Sequence, residues 1–157
     1  MKNFVIYGCG MISTIHAEAV KSLENANLLG CSDVRSESAK AFAEKYNIRC
    51  YETIEDVLSD KQVDVVCICT PSGTHAELAV KFLGAGINVI VEKPMALNTA
   101  DCDKIIEASE KSGAKITVIS QLRTSDDVNR AREIVKSGAL GKLILCDLHM
   151  KYYRNKE

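Results

Sequence analysis

The stretch VDVVCICT, Val63 to Thr70, constrains the fold more than any other part of the chain. Almost every side chain in it is apolar, and most are β-branched or cysteine. A strand with one wet face alternates apolar and polar residues. This one does not, so both of its faces have to be covered. The same is true of INVIV, Ile87 to Val91. Strands buried on both faces belong to parallel sheets, and parallel neighbours need long crossover connections, usually helices.

The rest of the chain supplies those crossovers. NFVIYG reads as a first strand, and Ser13 to Leu23 reads as a helix with Ile15, Ala19 and Leu23 as its apolar stripe. NLLGCSDV reads as a second strand, followed by the helix SESAKAFAEKY with Ser36 as its N-cap. A short edge strand is expected around Cys50 and Tyr51, then a short helix in TIEDVLSD. After VDVVCICT, Ala76, Ala79, Val80 and Leu83 give a helical face, which Gly84 and Gly86 end. A helix is expected from a cap at Asn98 or Thr99 to Gly113, then the strand KITVIS, then a helix with Val128, Ala131 and Val135 on one side. The pattern predicts an α/β fold, a Rossmann-type doubly wound parallel sheet. The last stretch, KLILCDLHMKYY, alternates apolar and polar residues and reads as a strand with one wet face. It suggests a domain over residues 1–141 and, over 142–157, the start of a second α+β domain that is otherwise missing.

Composition narrows the partners. The 157 residues carry a net charge of −1, and aromatics are 5% with no Trp. That gives neither the basic surface nor the stacking platform of a nucleic-acid binder. No stretch approaches the roughly 18 apolar residues of a membrane helix, and a cytoplasmic protein is expected. The seven cysteines are scattered without a C-x-x-C pair. They read as small buried hydrophobes in a reduced compartment, and no metal site is expected.

YGCGMIS, Tyr7 to Ser13, follows the first strand and opens the first helix. Gly8, Gly10 and Ser13 fall at the G-x-G-x-x-G spacing. The first position allows a tight turn, the second lets backbone approach a pyrophosphate, and the third lets the helix pack closely on its strand. The amides of Met11 and Ile12, at the helix N-terminus, suit an anion, and the Ser13 hydroxyl is a further candidate to hold phosphate. Asp33 stands at the end of the second strand, about 20 residues on, where a carboxylate accepts ribose hydroxyls and repels a 2′-phosphate. Arg35, two residues later, would instead welcome that phosphate. NAD is expected as cofactor, with NADP left open.

Ligands in an open α/β sheet sit beyond the carboxyl ends of the strands. TPSGTH, Thr70 to His75, and EKP, Glu92 to Pro94, both leave strands at that edge. Pro71 fixes a turn, Ser72 offers a hydroxyl, and His75 stands in the first helical turn, able to touch the site or to fasten the loop. Charged residues can follow a buried strand when they emerge at the rim of a site. The alternative for Glu92 and Lys93 is a rim ion pair of little consequence.

In order and spacing, GCGMIS with His16 following, SDVR, TPSGTH, GINVIVEKPMALN and VKSGALGKL resemble the Gfo/Idh/MocA family of sugar and polyol oxidoreductases. The resemblance covers almost the whole chain as a cofactor domain. It implies cofactor contacts from Gly8, Gly10, Met11, Ile12, Asp33, Arg35, Thr70, Pro71, Ser72, His75, Glu92 and Lys93. It assigns Lys93 to the reacting centre, where a cation beside a hydroxyl oxygen stabilises developing alkoxide. Glu92 would orient its neighbours or touch the ribose end, and a cis Lys93–Pro94 bond is admissible. His16 is expected to be structural, and His149 is assigned no role. Arg123 is divided between substrate contact and the domain junction. The implied protein is an NAD(P)-dependent dehydrogenase for a sugar, nucleotide sugar or cyclitol, a homo-oligomer at full length and inactive as this fragment. The alternative is a dinucleotide-binding sensor without catalysis.

Overall fold

The computed structural model describes residues 1–153. Residues 154–157, the end of the expected second-domain segment, lie outside the described residues. The chain divides into two units, Met1–Ile119 and Ser120–Glu157.

The first unit is built on a parallel sheet of β1 (Lys2–Tyr7), β2 (Ala26–Ser32), β3 (Arg49–Cys50), β4 (Val65–Ile68), β5 (Asn88–Val91) and β6 (Ile116–Val118). Their order across the sheet is β3-β2-β1-β4-β5-β6. The connecting helices are α1 (Met11–Lys21), α2 (Ser36–Tyr46), α3 (Ile54–Ser59), α4 (His75–Gly84) and α5 (Thr99–Ser112).

Adjacent strand residues point to opposite faces, and both faces are covered. Val66 and Ile68 of β4 join Val89 and Val91 of β5 in a core closed by Val57 of α3, Phe82 and Leu83 of α4, and Ile105 of α5. Cys67 and Cys69 belong with Ile6 and Cys31 to a second core, closed by Ala17 and Val20 of α1 and Phe42 of α2. The apolar run of β4 is therefore split residue by residue between two cores.

Several local readings change. The buried face of α1 is Ser13, Ala17 and Val20, whereas Ile15 and Leu23 are 64% and 52% exposed. A helix leaving a glycine turn lies close to the sheet, and close approach selects small side chains over an equally periodic stripe of large ones. Ser36 is the first residue of α2; the cap position is Arg35, which makes no side-chain cap hydrogen bond. At α5 the expected punctuation holds: Asn98 accepts from the Asp101 amide at 2.9 Å, and Gly113 adopts φ +75° after the last turn. Edge strand β3 depends on Gly30, where a Cβ would stand 2.5 Å from the Tyr51 ring. All seven cysteines are free, but only Cys31, Cys67 and Cys69 are fully buried and Cys146 is exposed.

The second unit contains a 3-10 turn, Gln121–Thr124, and α6 (Asp126–Lys136). No residue of α6 is buried; Val128 and Val135 are 39% and 48% exposed. Residues 142–153 form no strand, contrary to the alternation read from the sequence. Alternation prepares a segment for pairing, but a strand exists only against a hydrogen-bonding neighbour.

Candidate functional site

The strand order reverses between β1 and β4, so the connections that leave these two strands run to opposite sides and a crevice opens at their carboxyl ends. Backbone bonds carry the ladder past the strand ends: Gly8 N–H donates to Ser32 O at 2.8 Å, Cys69 N–H to Tyr7 O at 2.8 Å, and Glu92 N–H to Ile68 O at 3.1 Å. They bring the glycine turn, the Thr70 loop and the Glu92 loop to one edge. A cavity of about 610 Å³ opens there, lined by Gly8, Gly10, Asp33, Arg35, Thr70 and Pro71 among others.

Gly8 has φ +98°, and a Cβ on it would stand 2.8 Å from the backbone of Cys69 and Thr70. No other residue type fits that turn without moving β4. Gly10 differs: it is extended, with φ −82°, and a Cβ there would meet nothing within 4 Å. α1 starts at the next residue without a side-chain cap, so its first-turn amides are unclaimed by a cap. Met11 and Ile12, in that turn, are 95% and 36% exposed. The Ser13 hydroxyl is buried and donates to the Gly10 carbonyl, so it is committed to its own turn rather than offered to a phosphate.

Asp33 is tied in at both oxygens. Oδ2 accepts from the Cys9 amide at 2.7 Å and Oδ1 from the Arg35 amide at 2.8 Å. The carboxylate thus fastens the glycine turn to the entry of α2, and each oxygen keeps acceptor capacity to spare. The Arg35 guanidinium lies 3.7 Å from Oδ1 and is 72% exposed. The hold on the Cys9 amide was invisible in the sequence, because it joins residues 24 apart.

Pro71, with φ −58°, leads into a 3-10 turn at Ser72–Thr74, and the Ser72 carbonyl accepts from the His75 amide. Thr74 Oγ1 lies 2.8 Å from Thr70 Oγ1 and 2.9 Å from the Pro71 carbonyl. His75 is 1% exposed. Its Nδ1 lies 2.8 Å from Pro94 O and its Nε2 2.9 Å from Thr70 O, so one ring joins the Thr70 loop to the EKP segment. Both partners are carbonyl oxygens, so whichever nitrogen carries the proton has an acceptor in front of it.

Glu92 is 8% exposed. Its Oε1 lies 3.0 Å from His16 Nε2 on α1, and its Oε2 accepts from the Lys93 amide at 3.2 Å. The partner of Glu92 is His16, not the Lys93 ammonium, so Glu92 and Lys93 do not form the alternative rim ion pair. Lys93 is exposed, and the Lys93–Pro94 bond is cis. Arg123 belongs to the other unit, where it is exposed in the Gln121–Thr124 turn. His149 lies in the stretch without regular structure. Among the described residues no group of three His, Cys, Asp or Glu side chains is arranged to hold a metal ion, and no helix is long and apolar enough to cross a membrane.

The family model described as an oxidoreductase family with an NAD-binding Rossmann fold matches residues 2–120. A myo-inositol 2-dehydrogenase from Thermotoga maritima is 33% identical over 87% of this chain and 41% of its own length. An inositol 2-dehydrogenase from Salmonella paratyphi B is 32% identical over 94% of this chain and 45% of its own length. The WlbA dehydrogenase from Bordetella pertussis, solved with NADH and UDP-GlcNAcA, superposes with a TM-score of 0.86 at 27% identity, covering 90% of this chain and 41% of that one. The chain spans less than half the length of these relatives. With its sheet order, its glycine turn and a family match over residues 2–120, the chain belongs to the Gfo/Idh/MocA oxidoreductase family.

Proposed function

We propose that this chain is the cofactor-binding half of an NAD(P)-dependent dehydrogenase acting on a sugar, nucleotide sugar or cyclitol. The observation that carries the reading is the contrast within the glycine turn. A Cβ on Gly8 would collide with its own protein, whereas one on Gly10, the residue that begins the uncapped N-terminus of α1, would meet nothing within 4 Å. That space suits a pyrophosphate at a helix N-terminus.

Gly8, Gly10, Met11 and Ile12 would hold the pyrophosphate, and Asp33 the adenosine ribose. Thr70, Pro71 and Ser72 would wall the crevice, with His75 behind them. The Asp33 carboxylate, fixed by two backbone amides, favours NAD over a cofactor with a 2′-phosphate; Arg35 is the residue through which NADP would be accepted. Bound nicotinamide would supply the hydride acceptor or donor. Lys93, beside Glu92 at the neighbouring strand end, would place its ammonium against the substrate hydroxyl and stabilise developing negative charge on that oxygen. Two of the relatives are inositol 2-dehydrogenases and a third was solved with a nucleotide sugar, which supports a polyol substrate. In the same reading residues 142–157 begin a substrate domain. The whole protein would act in the cytoplasm as a homo-oligomer on small molecules, without nucleic acid; Arg123 would meet substrate or the domain junction.

Calorimetric titration of the chain with NADH and NADPH tests this. NADH is expected to bind more tightly, and Asp33→Ser to narrow or reverse the preference. Failure of the folded chain to bind either dinucleotide would refute the reading.

A further inference from the structure

A carboxylate with 11% of its side chain exposed has to be compensated by partners. Glu92 divides its two oxygens between two elements. Oε1 faces His16 of α1 at 3.0 Å, and Oε2 takes the Lys93 amide at 3.2 Å. The His16 ring is nearly as buried, with 9% of its side chain exposed. α1 is the helix whose first turn borders the glycine turn. One carboxylate therefore joins that helix to the peptide unit from which the Lys93 side chain departs.

We infer that His16 is a positioning residue for Lys93, acting through Glu92. The inference rests on the reading of Lys93 as the group at the reacting centre. A glutamate has three side-chain torsions and, left alone beside a crevice, would turn toward water. The imidazole fixes it in one rotamer, and the second oxygen is then aimed at the Lys93 N–H. The other groups around the carboxylate are the thiol of Cys69, just past the end of β4 and close enough to feel its charge, and Lys93 itself. On the far side of Lys93 the Pro94 carbonyl is held by His75. The lysine is thus bracketed by imidazoles from α1 and α4, and the bracket on the α1 side runs through the Glu92 carboxylate.

The test is a pH titration of the isotope-labelled chain by NMR between about pH 5 and about pH 8, following the Lys93 amide and the His16 ring. The Lys93 amide resonance is expected to shift with the midpoint of His16. In His16→Gln, whose side-chain N–H can still reach Glu92, that step should vanish while the amide stays protected. In His16→Ala the amide should exchange with solvent roughly tenfold faster. A Lys93 amide that stays flat through the His16 titration overturns the inference, as does the same step persisting in His16→Gln. The titration of the unaltered chain decides the matter even if a variant fails to fold. Adding NADH to the same samples separates the two readings: absence of binding would sink the cofactor assignment and leave the His16–Glu92–Lys93 coupling to stand or fall by itself.

Discussion

Replacing each of the two turn glycines by alanine separates folding from binding. Gly8→Ala forces a Cβ onto a residue at φ +98°, 2.8 Å from the backbone of Cys69 and Thr70. The dihedral alone costs about 1–2 kcal/mol. The overlap is with backbone rather than a flexible side chain, so β4 or the turn has to shift, at about 1–3 kcal/mol more. A loss of roughly 2–5 kcal/mol is therefore expected, a large part of the stability of a domain this size. Gly10→Ala meets nothing within 4 Å and sits at φ −82°, which alanine adopts freely. Its stability should hold or rise by about 0.4–1 kcal/mol, because the unfolded chain loses freedom. Its methyl group, however, would occupy the space assigned to the pyrophosphate and should weaken NADH binding at least about tenfold, or ~1.4 kcal/mol. Urea unfolding measures the first quantity and calorimetric NADH titration the second. If Gly10→Ala unfolds as easily as Gly8→Ala, the turn geometry is wrong. If it binds NADH like the unaltered chain, the open space is not the phosphate site.

His75→Leu removes a buried ring that serves the Thr70 and Pro94 carbonyls; urea unfolding is expected to show a loss of about 2–4 kcal/mol, and an effect near zero would mean the two loops do not depend on it. The Tyr51 hydroxyl donates to Asp60 at 2.7 Å, which with the Gln62 amide and Arg49 holds the Asp60 carboxyl below the usual range. A depressed carboxyl contributes stability that is present above its unfolded pKa of about 4 and is lost as pH falls through the folded value. Asp60→Asn should accordingly cost about 1–3 kcal/mol near pH 7 and much less near pH 3, seen as converging urea midpoints. In native protein Cys146 should react first with a thiol reagent, and Cys67, whose thiol burial pushes up to about 12, should react only after unfolding; simultaneous labelling followed by mass spectrometry would contradict the packing described above.

The class of fold, and the edge of the sheet that matters, can be read from the chain's pattern of residues alone. VDVVCICT and INVIV demanded cover on both faces, and the alternation of strands with helices left a parallel sheet as the economical answer. GCGMIS and Asp33 were legible because a glycine turn and an acid after the second strand are local signals, each read within a few residues. What these residues touch is set by how the elements pack. Ile15 and Ala17 have equal claims by periodicity, and the close seat of α1 on the sheet settled for the smaller. Asp33 holds the Cys9 amide, Glu92 faces His16 and His75 reaches Pro94 across 24, 76 and 19 residues of chain. Hydrogen bonds between loops depend on where parallel strands end relative to one another, and register across a sheet is a property of all the strands together. The final alternating segment shows the same limit from the other side: its pattern was plain, but a strand is made by its neighbour, and residues 142–153 pair with none among the described residues.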